Sequence, residues 1–403
     1  MRYSQSNVKR YRHLAVGTAV MLVLGLIYAW SIYREPLSQV FPTWSISDMS
    51  MTFTLSMIFF CGGCILSGRL TKILKYSQIL LIAAALLSTG FFFASRLNGQ
   101  RPEQSLIQLY IFYGAFCGLG VGMGYVTVIS VIAKWFPDKM GLATGVLLMS
   151  YGFGGLIFGG VINTLISKVG LFNTFFILAI FVALILTTGS LLLKPPKSLS
   201  SSSSIKAQSG SKEIPPRQMV KTPEFWLFLS WNFTICAAGL LVINSAAPIA
   251  AAFGAPAVLG LLVLICNGLG RIAFGIAADK LNRRRAMFIN CVLLLSAGVC
   301  LYAGAVLNSV ILIFAGLLLI GLSYGGAPAL ITVVIRLLFG DKHYSENFGV
   351  STLQVIPAAI IGPLVSSLLI ERSQGAYNST FAMIIGFAVF ALVLNALLNK
   401  VSE

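Results

Sequence analysis

Charge is what this sequence has least of. Asp and Glu number 11 among 403 residues, and all charged residues together make up 10%. A water-exposed globular surface needs far more, so a soluble domain of this length is excluded. Histidine is scarcer still: the two residues, His13 and His343, sit at expected helix ends and cannot build a metal site alone. No His-Glu-x-x-His, nucleophile elbow or intramembrane acid pair is present, so no enzyme, metal or cofactor is expected. No filter-like repeat points to a channel. The seven cysteines all fall inside apolar segments. Cys61 and Cys64 form a C-x-x-C around Gly62 and Gly63, which fits small-residue helix packing better than a redox pair. The basic start, Met1 to His13, lacks a small-residue cleavage site, so the first apolar segment is expected to be a retained helix.

What is abundant is apolar length. Hydrophobic residues make up 57% of the chain, and they cluster into twelve stretches of membrane-spanning size. The spans are expected at 13–33, 49–71, 77–95, 105–134, 141–166, 171–193, 223–251, 256–279, 286–307, 309–337, 346–371 and 377–399. Residues 194–221 break the pattern, with Pro pairs near both ends and a Ser run between, as in a polar linker. The expected organisation is therefore an all-α membrane protein of twelve transmembrane helices. A six-helix bundle over 1–193 and another over 222–403 are joined by a cytoplasmic linker at 194–221. Thr222, Pro223 and Glu224 supply a cap, a first-turn proline and a dipole-matched acid for the seventh span.

With both termini cytoplasmic, 22 of the 28 Lys and Arg residues face the cytoplasm and five face outward. That is a strong positive-inside bias. Orientation thus accounts for the net charge of +17, and no nucleic-acid partner is needed. Phe136-Pro-Asp138-Lys139 and Phe339-Gly-Asp341-Lys342 follow spans four and ten. With Thr71-Lys72 opposite Asp279-Lys280, they form a faint internal repeat, as parallel transporter halves would.

The twenty-eighth base is Arg271, in the eighth span. It lies eight residues before Asp279, about 12 Å deeper at helical rise, with no acid nearby in its own helix. A guanidinium at that depth needs compensation. A substrate carboxylate would supply it through paired charge-assisted bonds; backbone carbonyls or an acid on another helix are the alternatives. Asn267 lies one turn away on the same face. Tyr28 in the first span is deep enough for its hydroxyl to want a partner, whether in a cavity or in packing. The alternating Gly118, Gly120, Gly122 and Gly124 suit close helix contact, and Tyr125 and Thr127 follow them. Tyr324-Gly-Gly-Ala-Pro328 is expected to interrupt the tenth span and line a cavity. Ser351 and Gln354 are the polar residues of the eleventh span that can face inward.

Gly275-Ile-Ala-Ala-Asp279-Lys280 followed by Arg283-Arg284 is similar to a signature of the major facilitator superfamily. The first-half copy departs from it, with Thr71 where an acid is expected. More specifically the chain resembles the oxalate/formate antiporter and monocarboxylate transporter families. The matching segments are Tyr28-Ala-Trp30-Ser-Ile-Tyr33, Lys134 to Gly145, Ser150 to Gly154, Thr222 to Trp226, Asn267-Gly-Leu-Gly-Arg271 and Asn347-Phe-Gly349. The resemblance implies a major facilitator fold in which Arg271 holds a substrate carboxylate and Tyr28 lines the same cavity. Asn267, Tyr324, Gln354, Ser351, Tyr125 and Thr127 complete the expected binding set, and Asp279, Lys280, Asp138 and Lys139 are the gating candidates. Val355 stands where oxalate transporters carry a second cation, and Pro328 where they carry a tyrosine.

The function so implied is secondary transport of a small organic anion by alternating access. A monocarboxylate of formate, lactate or pyruvate type is expected, because a dianion facing one cation would stay partly unpaired. The coupling partner is a counter-anion or a proton. A monomer in the bilayer of a bacterial inner membrane is expected. The competing readings are a dicarboxylate exchanger of oxalate type and a non-transporting carboxylate receptor or sensor.

Overall fold

Backbone amides in hydrocarbon have no water to bond, which forces long apolar segments into helices. The structure, a computed structural model, describes residues 2–196, 213–243, 246–254, 259–361, 365 and 377–402. Eleven segments of 19 to 34 residues among them are long and apolar enough to cross a bilayer. The expectation of an all-α, multi-spanning chain is met. Of the span expected at 346–371, residues 362–364 and 366–371 lie outside the described residues, as do 197–212 of the linker.

The helices are α1 (Arg2–Leu24), α2 (Trp30–Val40), α3 (Ile46–Leu70), α4 (Tyr76–Ala94), α5 (Pro102–Leu109), α6 (Gly118–Trp135), α7 (Met140–Val169) and α8 (Leu171–Leu192). After the linker come α9 (Pro216–Met219), α10 (Pro223–Ile243), α11 (Ala246–Ala252), α12 (Leu259–Lys280), α13 (Arg283–Val306), α14 (Val310–Phe339), α15 (Tyr344–Ser351) and α16 (Asn378–Val401). A 3-10 turn, Gly25–Ala29, joins α1 to α2 and contains Tyr28. A π-helical stretch, Tyr110–Cys117, joins α5 to α6.

Caps mark the helix starts. Ser45 and Asp48 form a reciprocal box at the start of α3, with Asp48 N donating to Ser45 Oγ at 3.1 Å and Ser45 N to Asp48 Oδ2 at 2.9 Å; this satisfies two orphan amides. Asn282 accepts from Arg285 N at 2.9 Å to cap α13. Thr222 accepts from Phe225 N only at 3.4 Å, and its hydroxyl donates to Met219 O at 2.7 Å. The expected cap of the seventh span is therefore a weak one.

Two compact units emerge. One holds residues 1–137, 150–210 and 344–352; the other holds 138–149, 211–343 and 353–403. In the first, α3 packs along α6 and α4 along α8. The alternating glycines of α6 provide the fit: a Cβ on Gly122 would stand 2.0 Å from Phe60 O, and one on Gly118 2.5 Å from Ser56 O. In the second, α12 and α13 pack along α14, and α10 packs along α16.

The expectation that Tyr324 to Pro328 interrupts the tenth span is overturned. α14 runs unbroken from Val310 to Phe339 with Pro328 inside. Side-chain amides of neighbouring helices cover the carbonyls around the proline. Asn290 Nδ2 donates to Ser323 O at 3.0 Å and Asn232 Nδ2 to Ala327 O at 2.9 Å. These bonds tie α14 to α13 and α10 just before the proline, although the carbonyl that Pro328 itself deprives of a donor is that of Tyr324.

Residues 138–149 dock in the second unit through the start of α7. The Asp279 carboxylate accepts from Gly141 N at 2.7 Å and Leu142 N at 2.8 Å, so it caps that helix and faces its positive end. Close by, Thr144 and Thr332 share a hydrogen bond of 2.9 Å.

Gly122→Val drives a side chain into the Phe60 carbonyl and is expected to cost about 1–3 kcal/mol. The melting temperature of the purified protein in detergent checks this; an unchanged value would disprove the contact. Asp279→Ala removes the cap of α7 and is expected to cost about 0.5–2 kcal/mol, with Asp279→Asn intermediate. The same melting measurement ranks the two.

Candidate functional site

Arg271 is buried at 6% exposure and Asn267 at 8%, one turn apart on α12. Two glycines bring α14 against this turn. A Cβ on Gly325 would lie 2.0 Å from Asn267 O and 3.1 Å from Arg271 N, and one on Gly270 would lie 2.3 Å from Leu322 O. Tyr324 extends from the same part of α14 to α10, where its ring occupies the space beside Gly239, within 2.4 Å of where a Cβ would be. Backbones approach this closely in membranes only through residues without side chains.

Among the described residues Arg271 hydrogen-bonds through one nitrogen: Nη1 donates to the carbonyl of Leu148 in the first part of α7. Its Nε is buried without a hydrogen-bond partner among the described residues, and so is Asn267 Oδ1. Among the described residues no carboxylate forms a salt bridge with it. A backbone carbonyl carries only a partial charge and leaves the guanidinium un-neutralised.

On the neighbouring α10, the Cys236 thiol donates to Asn232 Oδ1 at 3.7 Å. Cys236 also hydrogen-bonds the Gln354 side chain and lies within electrostatic reach of Arg271. Gln354 is 6% exposed, and its Oε1 has no partner among the described residues. The second unit thus gathers Arg271, Asn267, Tyr324 and Gln354 from the expected set. It adds Cys236 and Asn232, which sequence reasoning missed. Their signal was there: Asn232 is a polar residue within an apolar span, four residues from a cysteine on the same helical face.

The remaining expected binding residues lie in the first unit. Tyr28, 40% exposed, meets Tyr151 edge-on with ring centroids 5.1 Å apart. Tyr151 meets Tyr125 at 5.0 Å, and Tyr125 meets Phe60 at 5.3 Å and Phe348 at 6.0 Å. Thr127 shares a 3.0 Å hydrogen bond with Ser67, tying α6 to α3. Ser351, fully buried, donates back to Asn347 O at 2.8 Å.

Of the gating candidates, Asp279 caps α7, and Asp138 lies near enough to act on it electrostatically. Lys280, Asp138 and Lys139 are exposed. Thr71, standing where an acid is expected, donates to Gly68 O at 2.6 Å within its own turn. The next residue supplies the charge instead: Lys72 Nζ lies 2.6 Å from Glu346 Oε1 on α15. Glu346 is 5% exposed, so the pairing places the acid on the helix and the base on the loop. Sequence position alone placed Glu346 at a helix end without a role.

The whole chain also has relatives. It is 28% identical over 355 residues to an uncharacterised MFS-type transporter, YhjX, of Escherichia coli, covering 86% of this chain and 85% of the other. It is 25% identical over 396 residues to the oxalate:formate antiporter of Oxalobacter formigenes, covering 95% and 90%. The proton:xylose symporter XylE superposes with a TM-score of 0.74 at 14% identity, covering 98% of this chain and 96% of the other, which is a likeness of fold. The family profile of the Major Facilitator Superfamily matches residues 13–350 and, in a second alignment, 233–403. Apolar helices in two units, the signature ending at Asp279 and a profile spanning nearly every residue place one conclusion beyond the individual likenesses: the chain belongs to the Major Facilitator Superfamily.

Proposed function

We propose that this transporter carries a monocarboxylate and that Arg271 holds its carboxylate. Secondary-active transport of a small organic solute follows from family membership and from the relatives. The observation that carries the finer reading is the buried Arg271, un-neutralised by any described carboxylate and with Nε open. An anion entering that environment gains charge-assisted bonds in a place where water competes poorly. The oxalate:formate antiporter, 25% identical, is a relative whose named substrates are small carboxylates. A single buried base favours one negative charge over two. Arg271 is the one base among the buried residues described, and Val355 occupies the position where the resemblance calls for a second cation.

Tyr28, Tyr125, Thr127 and Ser351 remain proposed binding residues, and Asp279, Lys280, Asp138 and Lys139 proposed gating residues. Transport is proposed to proceed by alternating access. We place both termini on the cytoplasmic side of a bacterial inner membrane, as the charge bias requires. Either a counter-anion or a proton drives uptake.

Arg271→Gln removes the charge and most of the donors. In proteoliposomes, uptake of radiolabelled formate, lactate and pyruvate by this variant is expected to fall by about two orders of magnitude or more. Arg271→Lys is expected to lose most activity as well, because an ammonium lacks the planar fork. Wild-type rates in Arg271→Gln would end the proposal. Running the uptake with a pH gradient, and separately with unlabelled carboxylate loaded inside, tells proton coupling from exchange.

A further inference from the structure

The second unit fixes which end of the Gln354 amide is left without a partner among the described residues. The reasoning starts at a group that can only accept. Ala327 O receives a hydrogen bond from Asn232 at 2.9 Å, so the Asn232 nitrogen is turned toward α14. Its oxygen is therefore left toward Cys236, 3.7 Å away. An amide oxygen only accepts, so the thiol spends its single hydrogen on Asn232. Toward Gln354 the sulfur then has only lone pairs to offer. Gln354, hydrogen-bonded to Cys236, must present its Nε2 hydrogens there. Its Oε1 is turned away from the sulfur, buried and without a partner among the described residues. Asn267 Oδ1 is a second buried acceptor in the same condition, one turn from Arg271.

The cluster thus offers one cationic donor and two acceptors that no described residue satisfies. A buried acceptor left without a donor is costly. A ligand that brings a carboxylate for Arg271 and a hydrogen-bond donor for Gln354 satisfies both sides. Formate, oxalate dianion and 2-oxo acids bring acceptors only. An amino acid brings a donor, but its ammonium would be buried beside Arg271, which is the one Lys, Arg, Asp or Glu buried among the described residues of this unit. A hydroxyl is a donor without charge.

We infer that the preferred substrate class is a short hydroxy-monocarboxylate, with its carboxylate on Arg271 and its hydroxyl donating to Gln354 Oε1. This rests on the reading of Arg271 as the carboxylate holder and narrows it. Cys236 and Asn232 act through Gln354 as positioning residues: they hold the amide in the orientation that rejects an acceptor.

The test is the full-length protein in proteoliposomes, with kcat/KM measured for L-lactate and glycolate against pyruvate and formate. The hydroxy acids are expected to be favoured over pyruvate by about tenfold or more, as in sites built around a substrate hydroxyl. Gln354→Met removes the acceptor, and Cys236→Ala releases the amide to turn over. Each is expected to bring the lactate-to-pyruvate ratio toward one. Both substrates are read on the same preparation, so a loss of folded protein cancels in the ratio. Equal use of lactate and pyruvate by the wild type overturns the inference, as does an undiminished ratio in both variants. If that equal transport is lost in Arg271→Gln, only this inference falls. If none of the four acids is transported, the carboxylate reading falls with it.

Discussion

A guanidinium removed from water has to find negative charge or enough hydrogen-bond acceptors, and among the described residues Arg271 finds one carbonyl. Most of what surrounds it follows from that constraint. Gly270 and Gly325 let α12 and α14 close to backbone contact on either side of it, so solvent is shut out and the charge keeps its strength. The part of α7 that carries Leu148 is drawn into the same unit, where Asp279 caps its first turn. The proposed anion-binding position and the docking of α7 thereby belong to one helix, with Arg271 and Asp279 two turns apart on α12.

The polar side chains of this protein are few, and many of the buried ones are spoken for by carbonyls or by one another. Asn290 and Asn232 cover backbone carbonyls beside Pro328, Thr144 pairs with Thr332, and Ser67 with Thr127. Low dielectric makes each unmet group costly. Arg271 Nε, Asn267 Oδ1 and Gln354 Oε1, all in the second unit, are among the buried atoms without a hydrogen-bond partner among the described residues. Asn232 serves both purposes: its nitrogen supports α14, and its oxygen orients the chain of groups ending at Gln354.

The first unit meets its own constraint differently. Its internal signature lacks the acid found at Asp279, and the exchange is complementary: Lys72 stands beside Thr71, and the acid is Glu346, on α15. Gly68 makes room, since a Cβ there would lie 2.7 Å from Ser345 O and 2.8 Å from Glu346 Cα. A side-chain ion pair stands here where the second unit has a carboxylate facing a helix end, so the two units hold these segments through different chemistry.

Composition, run length and charge bias made the all-α membrane class, the spans and the orientation expectation legible, because each depends on transfer energies that sum along the chain. The lack of a nearby acid within Arg271's own helix was equally legible, whereas the Leu148 carbonyl it meets was one of the alternatives the sequence left open. The proline in α14 was misjudged because the helix around it is held by groups on other helices, Asn232 and Asn290 among them. The identity of Lys72's partner, the use of Thr127 by Ser67 and the orientation of Gln354 through Cys236 escaped for the same reason. Spacing along one helix tells which residues share a face. Which groups meet across helices, and which end of an amide is left open, is decided only when the helices pack.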